Sequence, residues 1–184
     1  MSSLALYDTR SRTTRSFVPL KPGEVSIYLC GATVQASPHI GHVRSGVNFD
    51  ILRRWMTKSG YSVTFIRNVT DIDDKILSKA IDEKLSWWAL AIKYEREFAS
   101  AYAAINVSLP TYEPRATGHI TQMIELMRVL IERGAAYAPG NGDVYMEVRK
   151  LSSYLTLSHQ KLDDLFPAED ADETFKHDSR DFTL

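Results

Sequence analysis

Val25-Ser26-Ile27-Tyr28-Leu29-Cys30, followed after a short loop by Pro38-His39-Ile40-Gly41-His42, decides how the rest of this chain is read. The first block is apolar and rich in strand formers, and residues 24–30 read as a buried strand. Gly31 to Pro38 read as a loop. A helical pattern then runs from Gly41 to about Ser59, with Val47, Ile51 and Trp55 at helical spacing and Gly60 at the stop. A strand, a glycine-containing loop and two histidines at a helix start predict an anion site. The free first-turn N–H groups and the positive end of the helix dipole face the ligand there. Two imidazoles add hydrogen-bond donors, so nucleotide phosphate is the first ligand to consider. The alternatives are a metal pair or two surface histidines. A metal pair wants a third ligand, and spacing alone places none nearby.

Moving outward, Ser62-Val63-Thr64-Phe65-Ile66-Arg67 reads as a second strand. Thr70 or Asp71 is placed to cap a helix to about Lys84, with carboxylates in its first turn. Strand–helix–strand–helix is the pattern of a parallel α/β sheet. From Trp87 to Ile105, the stripe Leu90, Tyr94, Phe98, Tyr102 and Ile105 predicts a further helix. Ile120, Met123, Ile124, Met127, Leu130 and Ile131 predict another, closed by Gly134. Phe98, Tyr102 and Met123 are read as core. Asn141-Gly142 is a hairpin-type turn, Val144 to Val148 a strand, and Asp181 to Leu184 the beginning of one. The acidic run Glu169 to Glu173 reads as a solvated loop.

The 184 residues suffice for one domain with a core, or one domain with a small insertion. A hydrophobic share of 44% and a charged share of 24% are those of a soluble globular protein. No apolar run approaches the ~20 residues of a membrane span, and the N-terminus lacks a secretory pattern. A single cysteine excludes an internal disulfide and points to a reducing, cytoplasmic setting. The net charge of −1 does not advertise nucleic-acid binding, so contact with RNA would need a local basic patch or a further segment.

Two residue groups carry further chemistry. Cys30 at a strand end reads as an ordinary buried cysteine, a zinc ligand, or a nucleophile served by His39 or His42. In Asn68-Val69-Thr70-Asp71-Ile72-Asp73-Asp74-Lys75, three carboxylates lie at the C-terminal end of a strand, where parallel sheets bind ligands. They suit a metal or a substrate ammonium; helix-dipole compensation is the plainer role for at least one.

In order, Tyr28-Leu29-Cys30-Gly31-Ala32-Thr33-Val34, Pro38-His39-Ile40-Gly41-His42, Arg67 to Lys75, Glu113-Pro114-Arg115-Ala116-Thr117, Gly142-Asp143-Val144-Tyr145 and Asp181-Phe182-Thr183-Leu184 closely resemble the N-terminal half of cysteinyl-tRNA synthetases. These are class I aminoacyl-tRNA synthetases, and the wording is nearest to actinobacterial members. The resemblance runs along essentially the whole chain. It implies an α/β fold: the first half of a Rossmann-like (HUP-type) parallel sheet over residues 1–110, then a helical, α+β connective insertion over 111–184. It implies that Pro38, His39, Gly41 and His42 hold ATP, with His39 and His42 catalytic in adenylate formation. It implies that Cys30, Gly31 and Thr70 bind the substrate, Cys30 as one of four zinc ligands. That zinc takes the substrate thiolate, and its preference for sulfur over a hydroxyl separates cysteine from serine. Asp71 and Asp73 lie in the same block. Gln35 stands where the family often has tyrosine.

The resemblance also implies a chain that continues well beyond Leu184. The other three zinc ligands, a lysine-rich ATP loop, the second half of the sheet and the anticodon-binding region belong to that continuation. His119, His159 and His177 match no zinc position. Three functions remain open at this point. One is a truncated cysteine–tRNA ligase that activates cysteine with ATP for transfer to tRNA. Another is a paralogue passing cysteine or a related carboxylic acid to a small amine. The third is a non-catalytic nucleotide-binding module. A half sheet has a raw edge, which calls for a second chain or a homo-oligomer to cover it.

Overall fold

The computed structural model describes residues 4–166 and 173–184. In chain order they form β1 (Ala5–Asp8), β2 (Thr13–Ser16), β3 (Glu24–Leu29), α1 (Ile40–Lys58), β4 (Ser62–Arg67), α2 (Asp74–Asp82), α3 (Trp87–Ala104), α4 (Ile120–Glu132), β5 (Ala136–Tyr137), β6 (Tyr145–Met146) and β7 (Phe182–Thr183). Two compact units result. One spans Val18–Ile120; the other joins the N-terminal segment up to Phe17 to Thr121–Leu184.

The first unit is built on parallel pairing. β3 lies beside β4 in register from Glu24↔Ser62 to Leu29↔Arg67, with α1 as the crossover. On the other side of β4, residues 111–116 run parallel to it through the bridges Ile66↔Tyr112 and Val69↔Arg115. This segment therefore belongs with the sheet, and the compact unit ends at Ile120, later than the 110/111 division expected from sequence. Among the strands of the described residues, β3 pairs with β4 alone. The expected buried strand is buried on one face only: Val25 is buried, but Tyr28, on the opposite face, is largely exposed.

The helices bury what their spacing permits. α2 buries Ile76 and Ala80, four apart; α3 buries Leu90, Ala91, Tyr94 and Phe98. With Val34 and Val69 these make one core cluster, against which Tyr102 packs. Ile105, expected on this stripe, is exposed. In α1 the buried positions are Gly46, Asp50 and Met56, whereas Ile51 and Trp55 face outward. Asp50 is held by Arg54 Nε at 2.7 Å and by the Ser108 N–H at 3.2 Å. Burial alone would raise its pKa, but those hydrogen bonds outweigh it and hold the carboxyl below its ordinary value.

The cap of α2 is Asp73, whose Oδ1 accepts the Lys75 N–H at 2.9 Å, and not Thr70 or Asp71. Both expected caps are used elsewhere. Thr70 continues the ladder, accepting from Val34 N at 3.2 Å. Asp71 accepts the Thr117 N–H at 3.0 Å and the Thr117 hydroxyl.

In the second unit, β1 and β2 form an antiparallel hairpin, and β5, β6 and β7 form an antiparallel sheet with β6 central. The strand expected over 144–148 is cut to Tyr145–Met146. The Val148 N–H turns aside to donate to Asp181 Oδ1 at 3.0 Å. Asp181 is 1% exposed and also accepts from the Tyr137 hydroxyl at 2.7 Å. Burial, reinforced by that carboxylate, pushes the Tyr137 pKa up to about 12. No residue of α4 is fully buried, and Met123, expected in a core, is at the surface. Most of the acidic run, residues 169–172, lies outside the described residues.

Ile76 is 0% exposed and Ile81, on the same helix, is 78% exposed. Ile76→Ala is expected to cost about 2–5 kcal/mol in urea denaturation. Ile81→Ala is expected to change stability by no more than about 0.5 kcal/mol. Equal costs would contradict this packing.

Candidate functional site

The residues singled out from sequence gather at the C-terminal ends of β3 and β4 and at the start of α1. Cys30 and Gly31 follow β3 directly, Asn68 and Thr70 follow β4, and His39 caps α1. The strand ends sit very close together. A Cβ at Gly31 would stand 1.6 Å from the Asn68 carbonyl oxygen, so only glycine fits. The bridge Thr33↔Thr70 carries the pairing beyond the strands.

Asn68 joins these parts, and sequence reasoning missed it. Its Oδ1 accepts the Gly31 N–H at 2.7 Å and the Tyr28 hydroxyl at 3.0 Å. Its Nδ2 donates to Thr70 Oγ1 at 3.3 Å. The one available signal was its place just past a parallel strand, because its partners lie up to 40 residues away. Burial pushes the Tyr28 hydroxyl pKa up, and the neighbouring Cys30 thiol adds to the effect. Cys30 itself is exposed, which removes the buried-cysteine reading.

At the helix start the two histidines cap reciprocally. His39 Nδ1 accepts the Gly41 N–H at 3.1 Å, and His42 Nδ1 accepts the His39 N–H at 3.3 Å. Nδ1 must be unprotonated to accept, so both neutral rings carry their proton on Nε2. The N–H groups of His42 and Val43 are also engaged, both by the His39 carbonyl. The expected row of free backbone donors is thus largely used within the first turn. The donor left on each neutral ring is Nε2–H. The rings lie 3.9 Å apart, and His42 meets Phe98 edge-on at 5.0 Å. A Cβ at Gly41 would stand 2.9 Å from the His39 ring.

Behind the loop lies a cavity of about 220 Å³, lined by Ala32, Val34, Asn68, Phe98, Tyr102 and other residues. Arg67 borders it, buried, with Nη2 2.6 Å from Glu113 Oε1 and its guanidinium 4.2 Å above the Tyr102 ring. Its Nη1 has no hydrogen-bond partner among the described residues. This ion pair ties β4 to the segment at 111–116.

Zinc does not fit the described residues on their own. They bring together no group of three histidine, cysteine, aspartate or glutamate side chains, and Cys30 offers one donor. The histidines left unassigned are structurally engaged. His119 Nδ1 meets the Arg115 carbonyl at 2.8 Å, His159 Nε2 the Arg10 carbonyl at 2.7 Å, and His177 stacks on Tyr137 at 3.7 Å.

Burial, then the nearby His39, holds the His42 pKa below its ordinary value near 6.5. As pH falls, the unfolded chain takes up this proton first. The stability His42 contributes is complete above pH 6.5 and is lost as pH falls through the folded-state value. An NMR titration of the imidazole carbons should show its midpoint below that of a free histidine. Phe98→Ala, which opens the ring to water, should move the midpoint back up; no movement would contradict the burial argument.

The chain is similar to known proteins in sequence and in fold. Residues 16–184 match the family described as tRNA synthetases class I (C) catalytic domain. The chain is 59% identical over 182 residues to a protein named cysteine–tRNA ligase from Streptomyces coelicolor, covering 99% of this chain and 30% of that protein. It is 58% identical over 182 residues to the protein of that name from Streptomyces avermitilis, covering 99% of this chain and 39% of the relative. The chain thus spans about a third of the length of these relatives. Among solved structures, Mycobacterium tuberculosis methionyl-tRNA synthetase bound by methionyl-adenylate superposes with a TM-score of 0.56 at 25% identity, over 64% of this chain and 23% of that one. With parallel strand ends, helix-capping histidines and a family match over nearly its whole length, the chain belongs to the class I (C) tRNA synthetase catalytic-domain family.

Proposed function

We propose that this chain supplies part of the ATP and cysteine site of a cysteine–tRNA ligase, which joins cysteine to AMP before transfer to tRNA. The observation that carries the reading is the convergence of Cys30, Gly31, Thr70 and the His39–His42 pair at one end of a parallel strand pair, within a chain matching the family over residues 16–184. In this reading the unit Val18–Ile120 is half of a Rossmann-like nucleotide-binding domain and the remainder is a connective insertion. The M. tuberculosis methionyl-tRNA synthetase is bound by methionyl-adenylate, which supports an aminoacyl-adenylate as the intermediate in this reading.

The chemistry follows from the donors. A cysteine carboxylate oxygen attacks the α-phosphorus of ATP, the bond to the β,γ-diphosphate breaks, and pyrophosphate leaves. Negative charge on the phosphate oxygens grows in the transition state. The Nε2–H groups of His39 and His42, at the positive end of α1, are suited to meet it without carrying charge themselves. Cys30, Gly31 and Thr70 hold the amino acid beside it. Zinc, when held by Cys30 with ligands from elsewhere, would bind the substrate sulfur. Transfer to tRNA is assigned to the longer protein.

The test is binding of ATP by calorimetry, followed by cysteine-dependent ATP–pyrophosphate exchange. Each hydrogen bond to a charged phosphate contributes about 1.5–3 kcal/mol, so His42→Ala should weaken ATP binding about tenfold to a hundredfold. Exchange with cysteine but not serine would support cysteine activation. Absence of ATP binding by the intact chain, or equal binding by His42→Ala, would overturn the assignment.

A further inference from the structure

Asn68 makes three hydrogen bonds, and their direction has chemical consequences. The Gly31 N–H is a donor, so the amide oxygen must face it, and Oδ1 does so at 2.7 Å. The same oxygen accepts from the Tyr28 hydroxyl. The amide nitrogen is therefore left for Thr70, whose Oγ1 receives it at 3.3 Å. Backbone bonds lock the frame around this side chain: Val34 N to the Thr70 carbonyl at 3.2 Å, and Thr70 N to the Ala32 carbonyl at 3.3 Å. The glycine cannot retreat, because its α-carbon lies against the Asn68 carbonyl.

We propose that Asn68 is a positioning residue that sets the hydrogen-bond polarity of the amino-acid end of the site. Gly31 has spent its N–H and offers its carbonyl as an acceptor. Thr70 accepts from Asn68 and keeps its hydroxyl proton to give away, with no acceptor for it among the described residues. One acceptor beside one hydroxyl donor matches an ammonium beside a carboxylate. The ligand class selected is a zwitterionic α-amino acid, in preference to an acid without the ammonium. This rests on the reading of Cys30, Gly31 and Thr70 as substrate-holding residues, and adds to it the reason an amino group is required.

Two NMR measurements on the intact chain test it. The first is amide hydrogen exchange. Asn68→Ala should speed exchange at Gly31 about tenfold or more, while the Val34 and Thr70 amides keep their protection. Asn68→Asp retains an acceptor and should restore Gly31 protection. The second is titration, under reducing conditions, with L-cysteine and with 3-mercaptopropionate, which lacks the ammonium. The wild-type chain should prefer cysteine by about tenfold, and Asn68→Ala should lose most of that preference. Unchanged Gly31 exchange in Asn68→Ala, or an undiminished preference for cysteine, would overturn the role of Asn68 alone. A wild-type chain that binds cysteine no better than 3-mercaptopropionate would overturn the substrate reading itself, and the polarity argument with it.

Discussion

The candidate site depends on one steric constraint: the ends of β3 and β4 approach so closely that no side chain fits at Gly31. Parallel pairing brings two strand termini to the same edge, with residues distant in the chain side by side. Cys30, Gly31, Asn68 and Thr70 share one edge for that reason. Loss of the close approach would release Asn68 from its bonds to Gly31 and Tyr28. The Arg67–Glu113 pair and the bridges to residues 111–116 hold the far side of β4, so the central strand is fixed from both sides.

A second constraint acts at the start of α1. A helix begins with unmet N–H groups, and an anion site uses them. Here the first turn meets several of its own needs, because the His39 ring accepts the Gly41 N–H and the His42 ring accepts the His39 N–H. Occupying both Nδ1 atoms fixes the neutral tautomers and leaves Nε2–H as the remaining donor on each ring. Burial, then the His39 ring 3.9 Å away, holds the His42 pKa below its ordinary value. The helix start therefore presents directional neutral donors within a positive helix-end field.

The two units show different degrees of closure. Val34, Val69, Ile76, Leu90 and Phe98 give the first a contiguous core beneath the candidate site. The second rests on a short three-stranded sheet and a buried carboxylate, Asp181, that organises several backbone and side-chain donors. Its helix α4 buries none of its residues completely. The polar Asp181 network thus holds the strand ends where apolar burial is limited.

Local chemistry was legible in the sequence. The order β3–α1–β4–α2–α3–α4, the end of α1 near Gly60 and the extent of β4 follow from short-range pattern, and the family resemblance rests on contiguous blocks. Tertiary structure decided everything that depends on a distant partner. Thr70 and Asp71 look like helix caps until Val34 and Thr117 claim them, leaving Asp73 to cap α2. Ile51 and Trp55 look like a core stripe until packing buries Gly46, Asp50 and Met56 instead. Asn68 looks like any strand-end residue until parallel pairing sets it against Gly31. Propensity and periodicity are properties of neighbours along the chain, whereas a hydrogen bond across 37 residues exists only once the chain has folded.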